Sequence, residues 1–164
     1  MLGFDDEDEV LSDGPTANEP ARRQSSGLSG EDWFRLGLDL ESGAPEQARE
    51  AYRRSLELDP GHVDARINLG RLLHEAGEWE AAEKHYRMAL ADRSDDSTAL
   101  FNLAVVLEDL GRRKEAIHAY RQTISEDPDY ADAYYNVARL LEQSGEHQAA
   151  LRYLKTYRKL TDPN

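Results

Sequence analysis

The chain contains no cysteine. That excludes a disulfide framework, thiolate catalysis and thiolate metal sites, and it suits a reducing compartment. Basic residues are scarce: 20 Lys and Arg stand against 33 Asp and Glu, for a net charge of −13 over 164 residues. A surface of that sign repels phosphates, so neither nucleic acid nor an anionic membrane is an expected partner. No apolar run approaches the ~20 residues of a membrane-spanning helix. The first residues are acidic, where a secretory leader would be basic and then apolar. These absences favour a cytoplasmic protein.

Catalytic patterns are missing too. There is no glycine-rich phosphate loop, no nucleophile elbow and no His-Glu-x-x-His. The five histidines, His62, His74, His85, His118 and His147, never pair one helical turn apart on one face, as metal ligands would. His74 beside Glu75 is best read as an exposed polar pair. The expectation is a non-enzyme with no cofactor and no metal.

What is present is repetition. Ile67-Asn68-Leu69-Gly70, Phe101-Asn102-Leu103-Ala104 and Tyr135-Asn136-Val137-Ala138 are three versions of one phrase. Their asparagines are 34 residues apart (102 − 68 and 136 − 102). A period of that size predicts a stacked array in place of a single globular core.

The array begins after an acidic segment. Residues 1–29 hold seven acids against Arg22 and Arg23, or −5 of the −13, with few large apolar groups. They cannot bury enough surface to offset the entropy of ordering and are expected to be a disordered tail or linker. Leu2, Phe4, Val10 and Leu11 among the acids leave a short docking motif as the other reading. From residue 30 the apolar period becomes helical. Four helix–turn–helix units are expected at about 30–62, 63–96, 97–130 and 131–164. Gly77, Gly111 and Gly145 supply left-handed turn residues, and Gly43-Ala44-Pro45 makes the first break. The expected buried second-helix residues are Ala48, Tyr52 and Leu56, then Ala82, Tyr86, Ala89 and Leu90, then Ala116, Tyr120 and Ile124, then Ala150, Leu154 and Tyr157. The first unit is one residue short between Gly37 and Ala48, which predicts a tighter turn. Ser94 stands where a proline is due, which predicts a helix that runs on or frays.

These residues resemble the tetratricopeptide repeat (TPR) signature: Trp33, Leu36-Gly37, Ala48, Tyr52 and Pro60 in the first unit, Leu69-Gly70, Ala82 and Tyr86 in the second, and Leu103-Ala104, Ala116, Tyr120 and Pro128 in the third. The resemblance implies an all-α, right-handed α-solenoid of four TPR units whose first helices line a concave groove. Its function would be to bind an extended peptide or a partner's helix. Asn68, Asn102 and Asn136 resemble the asparagine ladder in the TPR domain of O-linked N-acetylglucosamine transferases. That resemblance implies main-chain recognition without glycosyl transfer, since no catalytic domain is present. An asparagine amide is donor and acceptor at once and matches a peptide backbone. Arg35 takes the ladder's place in the first unit. Phe34, Ile67, Phe101 and Tyr135 would select side chains, and Arg71 and Arg139 would hold an acidic one. The alternative role for the asparagines is to hold neighbouring units together. The carboxylate clamp of chaperone-binding TPR proteins does not fit, because only Asn68 or Asn102 matches it in either register.

Two further readings stay open. The chain is a regulatory or assembly domain of a larger protein, such as a transcription regulator or transferase. Or it forms a weak homo-oligomer through its last helix, where Arg152, Lys155, Arg158 and Lys159 make a basic surface and Tyr153 and Tyr157 either cap the core or meet another chain.

Overall fold

A computed structural model describes residues 27–162. The expected tail falls almost wholly outside them, as does the docking motif at Leu2, Phe4, Val10 and Leu11. Eight helices follow one another among the described residues: α1 (Gly30–Leu40), α2 (Pro45–Leu58), α3 (Val63–Glu75), α4 (Trp79–Asp92), α5 (Ser97–Asp109), α6 (Arg113–Glu126), α7 (Ala131–Gln143) and α8 (His147–Thr161). Each helix packs on the next, and α3 also touches α5, so the first helices of successive units lie side by side.

Local chemistry sets the boundaries. Ser29 opens α1 with a capping box: its Oγ accepts the Asp32 N–H at 3.1 Å, and Asp32 Oδ2 accepts the Ser29 N–H at 2.9 Å. Asp96 caps α5 by accepting the Ala99 N–H at 2.9 Å, and the His62 ring does the same for α3 at 3.1 Å. Gly77, Gly111 and Gly145 turn the chain at φ +80°, +73° and +79°, a region costly to any residue with a Cβ.

Two sequence expectations are corrected. The missing residue of the first unit does not tighten the turn. It comes out of the helix: α1 ends at Leu40 and four residues lead to Pro45, whereas three separate Glu75 from Trp79. Nor does α4 run on at Ser94. It stops at Asp92, with 14 residues like α2 and α6. Arg93 stops it, bridging Asp64 at 2.9 Å and Asp96 at 3.1 Å and so tying the helix end to the start of α5.

The core is continuous. Ala48, Ala82, Ala116 and Ala150 are buried in the second helices. Beside them Tyr52, Tyr86 and Tyr120 are fully buried. Each ring lies on a small residue of its own unit. A Cβ at Gly37 would come 2.5 Å from Tyr52 Cε1, and one at Gly70 would come 2.8 Å from Tyr86 Cε1. In the fourth unit Leu154 takes the tyrosine's place and is 39% exposed, contrary to the expectation of burial. No helix follows to cover it among the described residues. Tyr153 packs on the core with its ring tilted against Tyr134 (6.2 Å), while Tyr157 approaches Tyr135 (5.4 Å). Both tyrosines therefore cover α7.

Away from these rings, charged brackets join α2 and α4 to the turn of the next unit. Arg49, 8% exposed, reaches Glu78. One repeat further on the signs are reversed, and Glu83 accepts Arg112 at 2.8 Å. In the next repeat the corresponding residues are Ile117 and Glu146, so no pair forms.

Overpacking a helix crossing costs about 1–3 kcal/mol, against a helix-propensity gain of about 1 kcal/mol for glycine to alanine. Gly37→Ala, with the closer contact, is expected to lower the urea midpoint, and Gly70→Ala to lower it less. Burial first, then Arg66 and Lys84, push the His85 imidazole down to about 4 from its ordinary 6.5. Between those values the unfolded chain binds a proton that the folded chain refuses, so stability is lost as pH falls from about 6.5 to about 4. His85→Gln should flatten that part of a urea-midpoint-against-pH curve.

Candidate functional site

The hydroxyls of Tyr52 and Tyr120 sit at the seam between units, bonded to a glutamate of their own unit and to the first helix of the next. Tyr52 Oη donates to Glu41 Oε1 and accepts from Asn68 Nδ2 at 3.3 Å. Arg71 closes the set, donating to Glu41 Oε2 at 2.5 Å and to Glu75 at 2.8 Å. Two repeats further on the same four residue types meet again. Tyr120 Oη donates to Glu108 Oε2 at 2.7 Å and accepts from Asn136 Nδ2 at 3.2 Å, while Arg139 binds both Glu108 oxygens, at 2.5 and 2.9 Å. Each constellation is a rung between two units. Burial, then the neighbouring glutamate, pushes both phenols well above their usual range, so they stay neutral donors.

The middle rung is different. Tyr86 Oη is buried and has no hydrogen-bond partner. Asn102 makes no side-chain hydrogen bond among the described residues. His74 stands where the other rungs have glutamate, and it turns to Asp109 Oδ2 at 2.5 Å. Val105 stands where they have arginine. Burial first pushes the Tyr86 phenol up, Arg71 opposes it, and Glu75 adds to it.

The remaining sequence candidates are divided between groove and core. Ile67 is only 6% exposed and belongs to the core, so it cannot select a ligand side chain. Phe34 and Phe101 are half-buried: Phe34 lies 4.4 Å from the His62 ring, and Phe101 stacks on Tyr130 at 4.8 Å. Tyr135 is the aromatic left open, at 47% exposure. Arg35 is exposed and pairs with Glu31 at 3.0 Å. Arg71 and Arg139 already hold glutamates of this chain.

A cleft of about 730 Å³ opens beside the third rung, where the turns of the third and fourth units meet. Its walls carry Glu108, Asp109 and Arg139 together with Arg113 and Lys114, two cations without an ion pair among the described residues. Sequence reasoning missed these two, although their place beside the turn glycine Gly111 was legible. No group of His, Asp and Glu among the described residues has metal-binding geometry, and no described helix is long and apolar enough to cross a membrane.

Stacked helical pairs joined by inter-unit rungs and a continuous core define a helical-repeat scaffold. Tetratricopeptide repeat models match residues 39–107 and 101–164, so the chain belongs to the tetratricopeptide repeat family. Its fold is the all-α, right-handed solenoid of four such units. The solved structures it resembles include a crystal structure of MamA, at 27% identity over 82% of this chain and 79% of that one, with a TM-score of 0.78. A second MamA crystal structure matches at 27% identity over 80% and 72% of the two chains, with a TM-score of 0.74. MamA 41-end from Desulfovibrio magneticus RS-1 has a TM-score of 0.76 over 83% and 77%, and at 18% identity it shows likeness of fold alone. No curated protein matches the chain. The repeats and these neighbours support a scaffold for protein–protein interaction.

A hydroxyl with a charged acceptor contributes about 1.5–3 kcal/mol, and an unpaired buried one costs about 1–3 kcal/mol. Tyr52→Phe and Tyr120→Phe are therefore expected to destabilise the fold by roughly 1–2 kcal/mol. Tyr86→Phe should be neutral or stabilising in the same denaturation experiment.

Proposed function

We propose that the chain binds an extended segment of a protein partner along the concave row of first helices, without catalysis. The observation that carries this is the amide inventory of the ladder. Asn68 and Asn136 each commit one N–H to a tyrosine, which leaves Oδ1 and the second N–H open, and Asn102 is wholly open. Three open amides at one-repeat spacing suit the alternating donors and acceptors of a main chain. The likeness to the ladder of the transferase TPR domains supports the same reading. Tyr135 adds an aromatic contact, and Arg113 and Lys114 add charge at one end. Arg71 and Arg139 act on the partner indirectly, by fixing the rungs. A cysteine-free, acidic chain of this kind is placed in the cytoplasm, where it stands alone or serves as the regulatory or assembly part of a larger protein.

A second reading rests on α8. Leu151 and Leu154 are 52% and 39% exposed, at positions where Ile117 and Tyr120 are covered by the next unit. A second copy seated on this edge would give a homo-oligomer, seen as concentration-dependent sedimentation and lost in Leu151→Glu.

For the groove, extended peptides selected by display against the full chain serve as probes. Replacing Asn68, Asn102 and Asn136 together with alanine is expected to weaken their binding by about tenfold or more, the loss of a few hydrogen bonds. Helical circular dichroism should be retained. Equal affinity for the triple variant, or loss of helicity, would assign the asparagines to the architecture alone.

A further inference from the structure

Three rungs built on one plan allow an internal comparison. Their tyrosines are Tyr52, Tyr86 and Tyr120, and their asparagines are Asn68, Asn102 and Asn136. In the outer two, hydrogen bonding runs from the asparagine amide to the tyrosine oxygen, and from the tyrosine hydroxyl to a glutamate that an arginine also holds. The middle rung keeps the tyrosine and the asparagine but has His74 for the glutamate and Val105 for the arginine. It therefore keeps the tyrosine donor of a carboxylate site and lacks both the carboxylate and the arginine. Tyr86 is 0% exposed and its hydroxyl has no acceptor, a configuration that costs free energy until one arrives.

We propose that the middle rung is a carboxylate-recognition subsite at the centre of the groove. An aspartate or glutamate side chain of the bound partner takes the place that Glu41 and Glu108 take in the outer rungs. It accepts the Tyr86 O–H and lies beside the Asn102 amide. This rests on the groove reading above. A tyrosine that accepts from an asparagine donates to a carboxylate twice elsewhere in this chain, so the ligand class follows from the chain's own chemistry. The nitrogens beside the site agree with it. His74 already holds a carboxylate, that of Asp109, and Arg71 acts on the Tyr86 phenol against the opposing carboxylate of Glu75, which Arg71 itself pairs. Tyr86 Oη has no exposed surface, so the incoming acid must move the side chains that cover it.

The test uses the full chain and acetate as the probe, at constant ionic strength with chloride as control. The asparagine side-chain amides and tyrosine ring signals are followed by NMR. Acetate is expected to shift the Asn102 amide and the Tyr86 ring saturably, while chloride and N-methylacetamide do not. Tyr86→Phe, isosteric and checked for helicity, should weaken acetate binding about tenfold, and Tyr52→Phe and Tyr120→Phe should leave it unchanged. The pair His74→Glu with Val105→Arg rebuilds an outer rung. It should raise Tm and abolish the acetate shift. The proposal is overturned by the absence of a saturable shift at Asn102, by a shift indifferent to Tyr86→Phe, or by an equal response to N-methylacetamide, which would make the rung a main-chain carbonyl site. Failure of acetate with selected peptides still bound overturns this subsite and leaves the groove reading standing. An acetate site in a chain that binds no peptide supports the subsite while removing the groove.

Discussion

The contact on which the rest of the structure depends is a tyrosine ring lying flat against a residue without a side chain to speak of. At Gly37 and Gly70 there is no space for a Cβ, so the two helices of a unit approach as closely as backbone and ring allow. That approach buries the ring completely. It also fixes where the hydroxyl emerges, at the seam with the following unit. One side chain thus closes its own unit with its ring and fastens the next with its oxygen. Alanine at 104 and 138 is the largest residue the first helices place there, and the fourth unit, with no described helix beyond it, has Leu154 in place of tyrosine.

The same arrangement makes architecture and recognition share atoms. Stacked repeats gain stability from interfaces between neighbours. In the outer rungs that interface consumes the tyrosine, the glutamate, the arginine and half of an asparagine amide. What remains available to a partner is the remainder of each amide, an exposed tyrosine and the middle rung. The groove is therefore most committed at its two ends and least committed at its centre. Binding there can be linked to stability, since a ligand that satisfies a buried donor stabilises the folded state by mass action.

Much of the fold was legible in the sequence because period and turn chemistry are local. The 34-residue step, the three turn glycines and the alanine–tyrosine pairs each follow from residues close together in the chain. The first turn and Ser94 misled because a deletion can be absorbed by a helix as well as by a loop, and because Arg93 and Asp96 stop a helix as proline would. Part of the site was not legible. A first helix touches two second helices, its own and the preceding one, so its buried arc is wider than an amphipathic stripe suggests. That arc takes in Ile67 and half of Phe101, while Phe34, with no described helix before it, is half-covered by Tyr52 and His62. The partners of the asparagines lie 16 residues away (68 − 52 and 136 − 120) on another unit, and no single-helix pattern carries that information. Aligning the units would have exposed His74 and Val105 as departures, since both sit in register with acid and base elsewhere.

The reversed brackets on the other face have a consequence for how such an array can grow. Arg49 meets Glu78, but Glu83 meets Arg112. A tandem duplication of the second unit would set a copy of Glu78 against Glu83, two carboxylates where a salt bridge is needed. Duplicating the third would face Ile117 with an arginine that keeps Glu115 but has lost Glu83. The junctions are lettered, in effect, and a gene that lengthened by copying either of these units alone would have to rewrite a letter. Duplication of the second or third unit alone is thereby disfavoured by electrostatics between neighbours, apart from any demand of the groove.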